Sequence, residues 1–307
     1  MSIKQVIESI ELLSAAHVDG ETVATLLRSR GVADVTVTRV EENGLHTDFL
    51  ACTLPGRNPE APALGVVGRL GGVGARPAVT GLVSDADGAI VAVATALKLA
   101  DMAASGDVLA GPVRIHTHIC PHAATRPHQP VPMMKSPFAM RKMMTHEVHP
   151  KMAAILSVDT SRGNRFVNRR GVALTPVAKE GWLLRLPERM LDLMGWVSGE
   201  LPVVLPLTTQ DITPYENGLW HVNSIMQPTI VTTAPVVGVA LTAQTTVPGC
   251  ATGATNAFDL DVATRFCIEV AKQFGAGECA FHDEAEWAAL QQRYGSLAHL
   301  QTVGHEA

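Results

Sequence analysis

The run His116-Thr117-His118-Ile119-Cys120-Pro121-His122 places four side chains able to ligate a metal within seven residues. Imidazole and thiolate suit zinc-like ions. Val113, Ile115, Thr117 and Ile119 alternate with Arg114, His116 and His118, so the pattern predicts a strand over 112–119. That strand would carry His116, His118 and Cys120 on one face, about 6.5–7 Å apart. The plainer reading is of polar groups at a strand end, hydrogen-bonded to backbone. Other chemistry-bearing residues punctuate the chain. Arg69 and Arg76 flank Gly71-Gly72-Val73-Gly74, which lacks a Walker lysine and a complete dinucleotide fingerprint but offers two guanidinium forks for a carboxylate or phosphate. Asp85 and Asp87 open an Ala-rich segment, where a carboxylate suits a helix start. Asp159 follows an apolar run, and His146 and His149 sit three apart in Thr-His-Glu-Val-His-Pro, a spacing that is not the His-Glu-x-x-His metal motif. As nucleophiles, Cys120 and Cys250 would each need a basic partner and a lowered pKa.

Such residues act together only if a scaffold gathers them. Segments 3–16 and 20–30 read as helices, and 35–40 with 46–54 as a hairpin turning at Glu42-Asn43-Gly44. Residues 63–68 form a continuous small-apolar run, expected for a strand buried on both faces. Further strands are expected at 112–119, 153–158, 165–168, 172–177, 203–208, 229–233 and 237–246, and helices at 87–104, 188–199, 257–274 and 284–294. This alternation predicts one domain over 1–307, a three-layer α/β/α arrangement around a central mixed, mostly parallel sheet. Residues 1–60 supply the N-terminal helices and hairpin, and 125–151 a Pro-, Met- and His-rich loop insertion. In such sheets ligands bind beyond the carboxyl ends of strands, where Arg69, Asp85, His118 and Asp159 all fall.

Composition narrows the function. A net charge of −5 without long runs of one sign excludes a basic footprint for nucleic acid. No apolar stretch reaches about 18 residues, so no membrane span is expected. The opening MSIKQVIESIELL is amphipathic and acidic, unlike a signal peptide. The five cysteines are odd in number and lie among apolar residues, which suits free thiols and a cytoplasmic setting. Met133, Met134, Met140, Met143, Met144 and Met152 cluster in one stretch. On a surface they would form a sizeable apolar patch, so the sequence predicts a homo-oligomer.

Over roughly residues 60–275 the order of these pieces resembles the co-catalytic zinc aminopeptidase superfamily (peptidase clan MH). Residues 82–88 with their following helix are similar to the segment bearing that family's metal-bridging aspartate. Residues 112–119 are similar to the strand ending in its paired glutamates, and 155–160 to the strand ending in a later metal-binding aspartate. Segments 171–181 and 237–274 share the likeness. The departures are equally specific. Gly68-Arg69 stands where the family has its first histidine ligand, Ile119, Cys120 and Pro121 stand where it has the glutamates, and no histidine lies near 250–253. Only Asp85 and Asp159 carry over by position. Over its full length the chain is similar to an uncharacterised bacterial and archaeal family, domain of unknown function 1177.

That likeness brings no established activity, but ligand-type residues at several strand ends point to a metal-dependent hydrolase of small peptide or amide substrates. A divalent metal, zinc or manganese, would be held by a rebuilt set of Asp85, Asp159, His116, His118 and His122, with Cys120 beside them and a metal-bound water as nucleophile. Arg69 or Arg76 would hold a substrate carboxylate, and Asp87 or Glu147 would shuttle the proton. The alternative is a non-catalytic small-molecule or peptide-binding protein that kept the fold and lost the ligands.

Overall fold

A computed structural model describes residues 1–42, 44–74, 82, 86–127, 133–135, 138–162, 165–207, 215, 217–244 and 255–302. Its strands are β1 (Asp34–Glu42), β2 (Leu45–Leu54), β3 (Ala63–Gly68), β4 (Val113–Ile119), β5 (Ala124–Arg126), β6 (Met133–Lys135), β7 (Met152–Arg162), β8 (Gly171–Lys179), β9 (Trp182–Leu184) and β10 (Val236–Ala243). Eight of them form one mixed sheet in the order β1-β2-β4-β3-β7-β10-β8-β9, while β5 and β6 pair separately. The middle strands β4, β3, β7 and β10 run parallel. Antiparallel pairs close both flanks, so the sheet is parallel only at its centre. The sequence explains this division. Every residue of β3 and β10 is buried, as in an apolar-rich strand covered on both faces, whereas β1 alternates and exposes one edge.

The helices are α1 (Ile3–Ser14), α2 (Gly20–Ser29), α3 (Asp87–Ala104), α4 (Met140–Glu147), α5 (Glu188–Ser198), α6 (Ala257–Gly275) and α7 (Glu284–Tyr294). Helices α1, α2, α3, α5 and α6 bury their apolar faces in one core, with Leu64, Val66, Val113, Ile115, Leu156 and Val158 of the sheet. On the opposite face α4 and a 3₁₀ helix, Ser224–Val231, cover a second core around Phe49, Val67, Met144, Ile155 and Ala240. The expected three layers are present.

Close approach at the centre depends on glycine. A Cβ on Gly68 would lie 2.3 Å from the Gly88 carbonyl oxygen of α3, far inside contact distance. Gly68→Ala is therefore expected to cost about 3 kcal/mol, the upper end for overpacking, because backbone rather than a pliable side chain must move. Urea denaturation would measure it; a change below about 0.5 kcal/mol would refute this account of the contact.

Some expected elements differ. Residues 165–168 are not a strand, and of 203–207 only Val204 bridges to Leu174. The expected strand at 229–233 is mostly 3₁₀ helix, in which Pro228 cannot donate to a ladder. The 125–151 insertion contains the β5–β6 ribbon and α4 rather than loop alone. Met140, Met143, Met144 and Met152 are buried in the second core, so these four do not supply the surface patch that the sequence suggested. Cys52, Cys120, Cys267 and Cys279 are free and buried. Among the described residues no helix is long and apolar enough to cross a membrane. Asn43, Arg76, Asp85 and Cys250 lie outside the described residues.

Candidate functional site

β3 and β7 are neighbours, but the chain leaves their carboxyl ends in opposite directions. From β3 it passes through α3 to β4; from β7 it goes to β8. This is a topological switch point, where an open α/β sheet leaves a crevice. Arg69, the first residue after β3, donates its backbone N–H to the Val158 carbonyl at 2.9 Å. Asp159 follows Val158 on β7. A Cβ on Gly88 would meet the Val158 carbonyl oxygen at 2.7 Å, so the bare backbone of the α3 start fits against the same spot and brings Asp87 with it. Thr117 of β4 bonds the Gly68 carbonyl at 2.8 Å, which sets His118 beside this junction.

Glu147, the last residue of α4, is fully buried and links the parts. One carboxylate oxygen lies 2.5 Å from His118 Nδ1, and the other 3.4 Å from Arg69 Nε. Gly71 donates its backbone N–H to His118 Nε2 at 3.2 Å. His118 is thus assigned as the Nδ1–H tautomer, with both nitrogens engaged. Gly71 has to be glycine, since a Cβ there would lie 1.5 Å from the His118 carbonyl oxygen. Arg69 is 4% exposed, and its Nη2 faces Met140 Sδ at 3.4 Å. Its Nη1 has no hydrogen-bond partner among the described residues.

Two carboxyls in this crevice titrate unusually high. Burial pushes Asp159 up to about 7; Arg69 pulls it back, while Glu147 and Asp87 add repulsion. Burial likewise pushes Asp87 up to about 6, against hydrogen bonds donated by Thr255 Oγ1 at 2.7 Å and Thr160 Oγ1 at 3.3 Å. Two interacting acids that change charge near neutrality can take and release protons at working pH.

The other expected ligands go elsewhere. His116 shares the sheet face of His118 but is nearly buried, and desolvation lowers its pKa to about 4, helped by His149 and Arg114. Its buried Nδ1 has no hydrogen-bond partner among the described residues. His122 is exposed, with its ring 5.8 Å from that of His46. Cys120 turns its sulfur toward the His46 carbonyl at 3.6 Å, and burial raises its thiol pKa, the opposite of nucleophile activation. His146 stacks on Phe49 at 4.5 Å between centroids. Among the described residues no group of three His, Cys, Asp or Glu side chains is placed to hold a metal. His118, His116 and His122, each with different partners, do not fit one ion. The structure brings Arg69, Asp87, Asp159 and Glu147 together, and adds Thr160 and Thr255. Glu147 had a legible signal: it continues the spacing of Met140 and Met143/Met144 on the buried stripe of α4, and an acid on such a stripe needs a partner.

Solved structures with a similar fold include two leucine aminopeptidases. That of Caenorhabditis elegans gives a TM-score of 0.51 at 12% identity over 86% of this chain and 65% of its own. A tomato leucine aminopeptidase mutant gives 0.53 at 10% identity over 87% and 61%. This chain therefore spans less than two thirds of either. The Legionella pneumophila LapA aminopeptidase gives 0.46 at 12% identity over 88% and 71%. The likeness to the two leucine aminopeptidases shows an aminopeptidase-like fold. No curated protein matches the sequence. Residues 38–304 match the family described as protein of unknown function (DUF1177), and the chain belongs to that family.

Proposed function

We propose that this protein hydrolyses small peptide or amide substrates in the crevice between β3 and β7. The observation that carries this reading is the pair of buried, mutually repelling carboxyls, Asp87 near 6 and Asp159 near 7, with Arg69 acting on Asp159. The lower of the two, Asp87, receives hydroxyl hydrogen bonds that favour its charged form, and acts as base on the attacking water. Asp159, protonated over the same range, gives its proton to the leaving amine. The Arg69 Nη1–H groups polarise the substrate carbonyl and support the oxyanion as the water oxygen bonds to carbon. Proton exchange with solvent then resets the pair. No step runs through a metal, because the described histidines do not form one ligand set.

The test is turnover of a panel of aminoacyl and dipeptidyl amides, with and without EDTA, across pH. The expected kcat/KM profile rises near pH 6, falls near pH 7 and is unaffected by chelator, the two limbs belonging to the coupled pair. Asp87→Asn should remove turnover. A wild-type protein inert to the whole panel would overturn the hydrolase reading and leave the second one, a peptide- or amide-binding protein. That reading is favoured by His118, whose two nitrogens are already engaged. It predicts thermal stabilisation by dipeptides without turnover.

A further inference from the structure

Away from the crevice, a groove of about 410 Å³ runs between the later turns of α3, α5 and α6. Its size is that of a small-molecule site. Met102, Leu193, Val197 and Ile268 are buried and give it an apolar floor. Trp196 forms one wall and is 63% exposed, yet its indole is not loose. The Arg189 guanidinium lies 4.8 Å over the ring and is itself anchored to Gln273 of α6 at 2.6 Å. A pinned, exposed aromatic wall costs little ordering entropy when a ligand packs on it.

The charges decide what fits. Arg265 is paired with Asp261 at 3.0 Å, and Lys272 with Glu269 at 2.7 Å. Lys98 of α3, half-buried in the same groove, has no ion pair or hydrogen bond among the described residues, and none joins it to Asp107, which also lines the groove. From Arg265 to Lys272 the floor extends about 10 Å along α6. We propose that this groove is a second ligand site, which takes a small amphipathic carboxylate: an apolar body of medium-chain length on the floor against Trp196, and its anionic head on Lys98. The site is separate from the crevice, so its failure says nothing about hydrolysis.

Isothermal titration of the full-length protein with octanoate and its neutral isostere octanamide tests this. Octanoate is expected to saturate one site, binding roughly ten-fold or more tightly than octanamide. Lys98→Met, which keeps the apolar stem, should abolish that preference, and Trp196→Ala should weaken both ligands. Equal affinity for octanoate and octanamide overturns the proposal. So does octanoate binding that Lys98→Met leaves unchanged, or saturation that requires Arg69 in the crevice instead. Should Lys98→Met fail to fold, the comparison of the two ligands on the wild-type protein still decides.

Discussion

Glu147→Gln is expected to destabilise the protein by about 3–5 kcal/mol, more than its isosteric shape suggests. The substitution removes only a charge, but that charge faces a guanidinium 4% exposed, held 3.4 Å away in a setting with little water. The amide can still accept from His118 Nδ1, so the loss isolates the ion pair from the histidine contact. Arg69→Met in the same background should recover most of the stability, because an uncompensated buried charge, rather than a missing attraction, is what costs. Urea midpoints of the two single variants and the double variant give the coupling. A cost below about 1 kcal/mol for Glu147→Gln would mean that Arg69 finds its counter-charge elsewhere.

Asp159→Asn should do the reverse, stabilising the fold while removing the proton donor. The native Asp159 holds its proton up to about 7, whereas the unfolded chain releases it near 3.8. Between these values the native state binds more protons than the unfolded one, so wild-type stability falls as pH rises from about 4 through 7. Asp87, raised to about 6, adds a fall of the same sign. Asparagine has nothing to titrate. The variant should match wild type near pH 4 and exceed it at pH 8 by an amount on the order of 4 kcal/mol. Thermal melts at the two pH values check this. A difference that does not grow with pH would place the Asp159 carboxyl in water. A site that stabilises when disarmed is the pattern expected where a strained electrostatic arrangement is kept for function.

The centre of the sheet was legible where its pattern is plain: the short apolar run of β3 and the Ala-rich α3 lie where the sequence puts them, over 63–68 and 87–104. Residues 229–233 misled because Ile230, Val231 and Thr232 favour strands locally, while Pro228 and the packing of Ile225 and Met226 under β7 and β10 impose a 3₁₀ turn. The site was legible in part. Arg69, Asp87 and Asp159 stand at strand and helix ends, and strand-end logic finds such residues. His116 and His118 share a face as the period of two requires. Periodicity does not reveal that α4, some thirty residues later, reaches back with Glu147 to engage His118 and leaves it nothing to offer a metal. That long-range contact turned the expected ligand row into a scaffold for the guanidinium.

The insertion at 125–151 supplies, in Glu147, the only carboxylate among the described residues that is paired with Arg69. It cannot be trimmed as a dispensable decoration. Any descendant that shed it would retain a buried guanidinium without its ion-pair partner, and would have to lose Arg69 in the same step. Insertion and crevice are thus constrained to be inherited, or abandoned, as one unit.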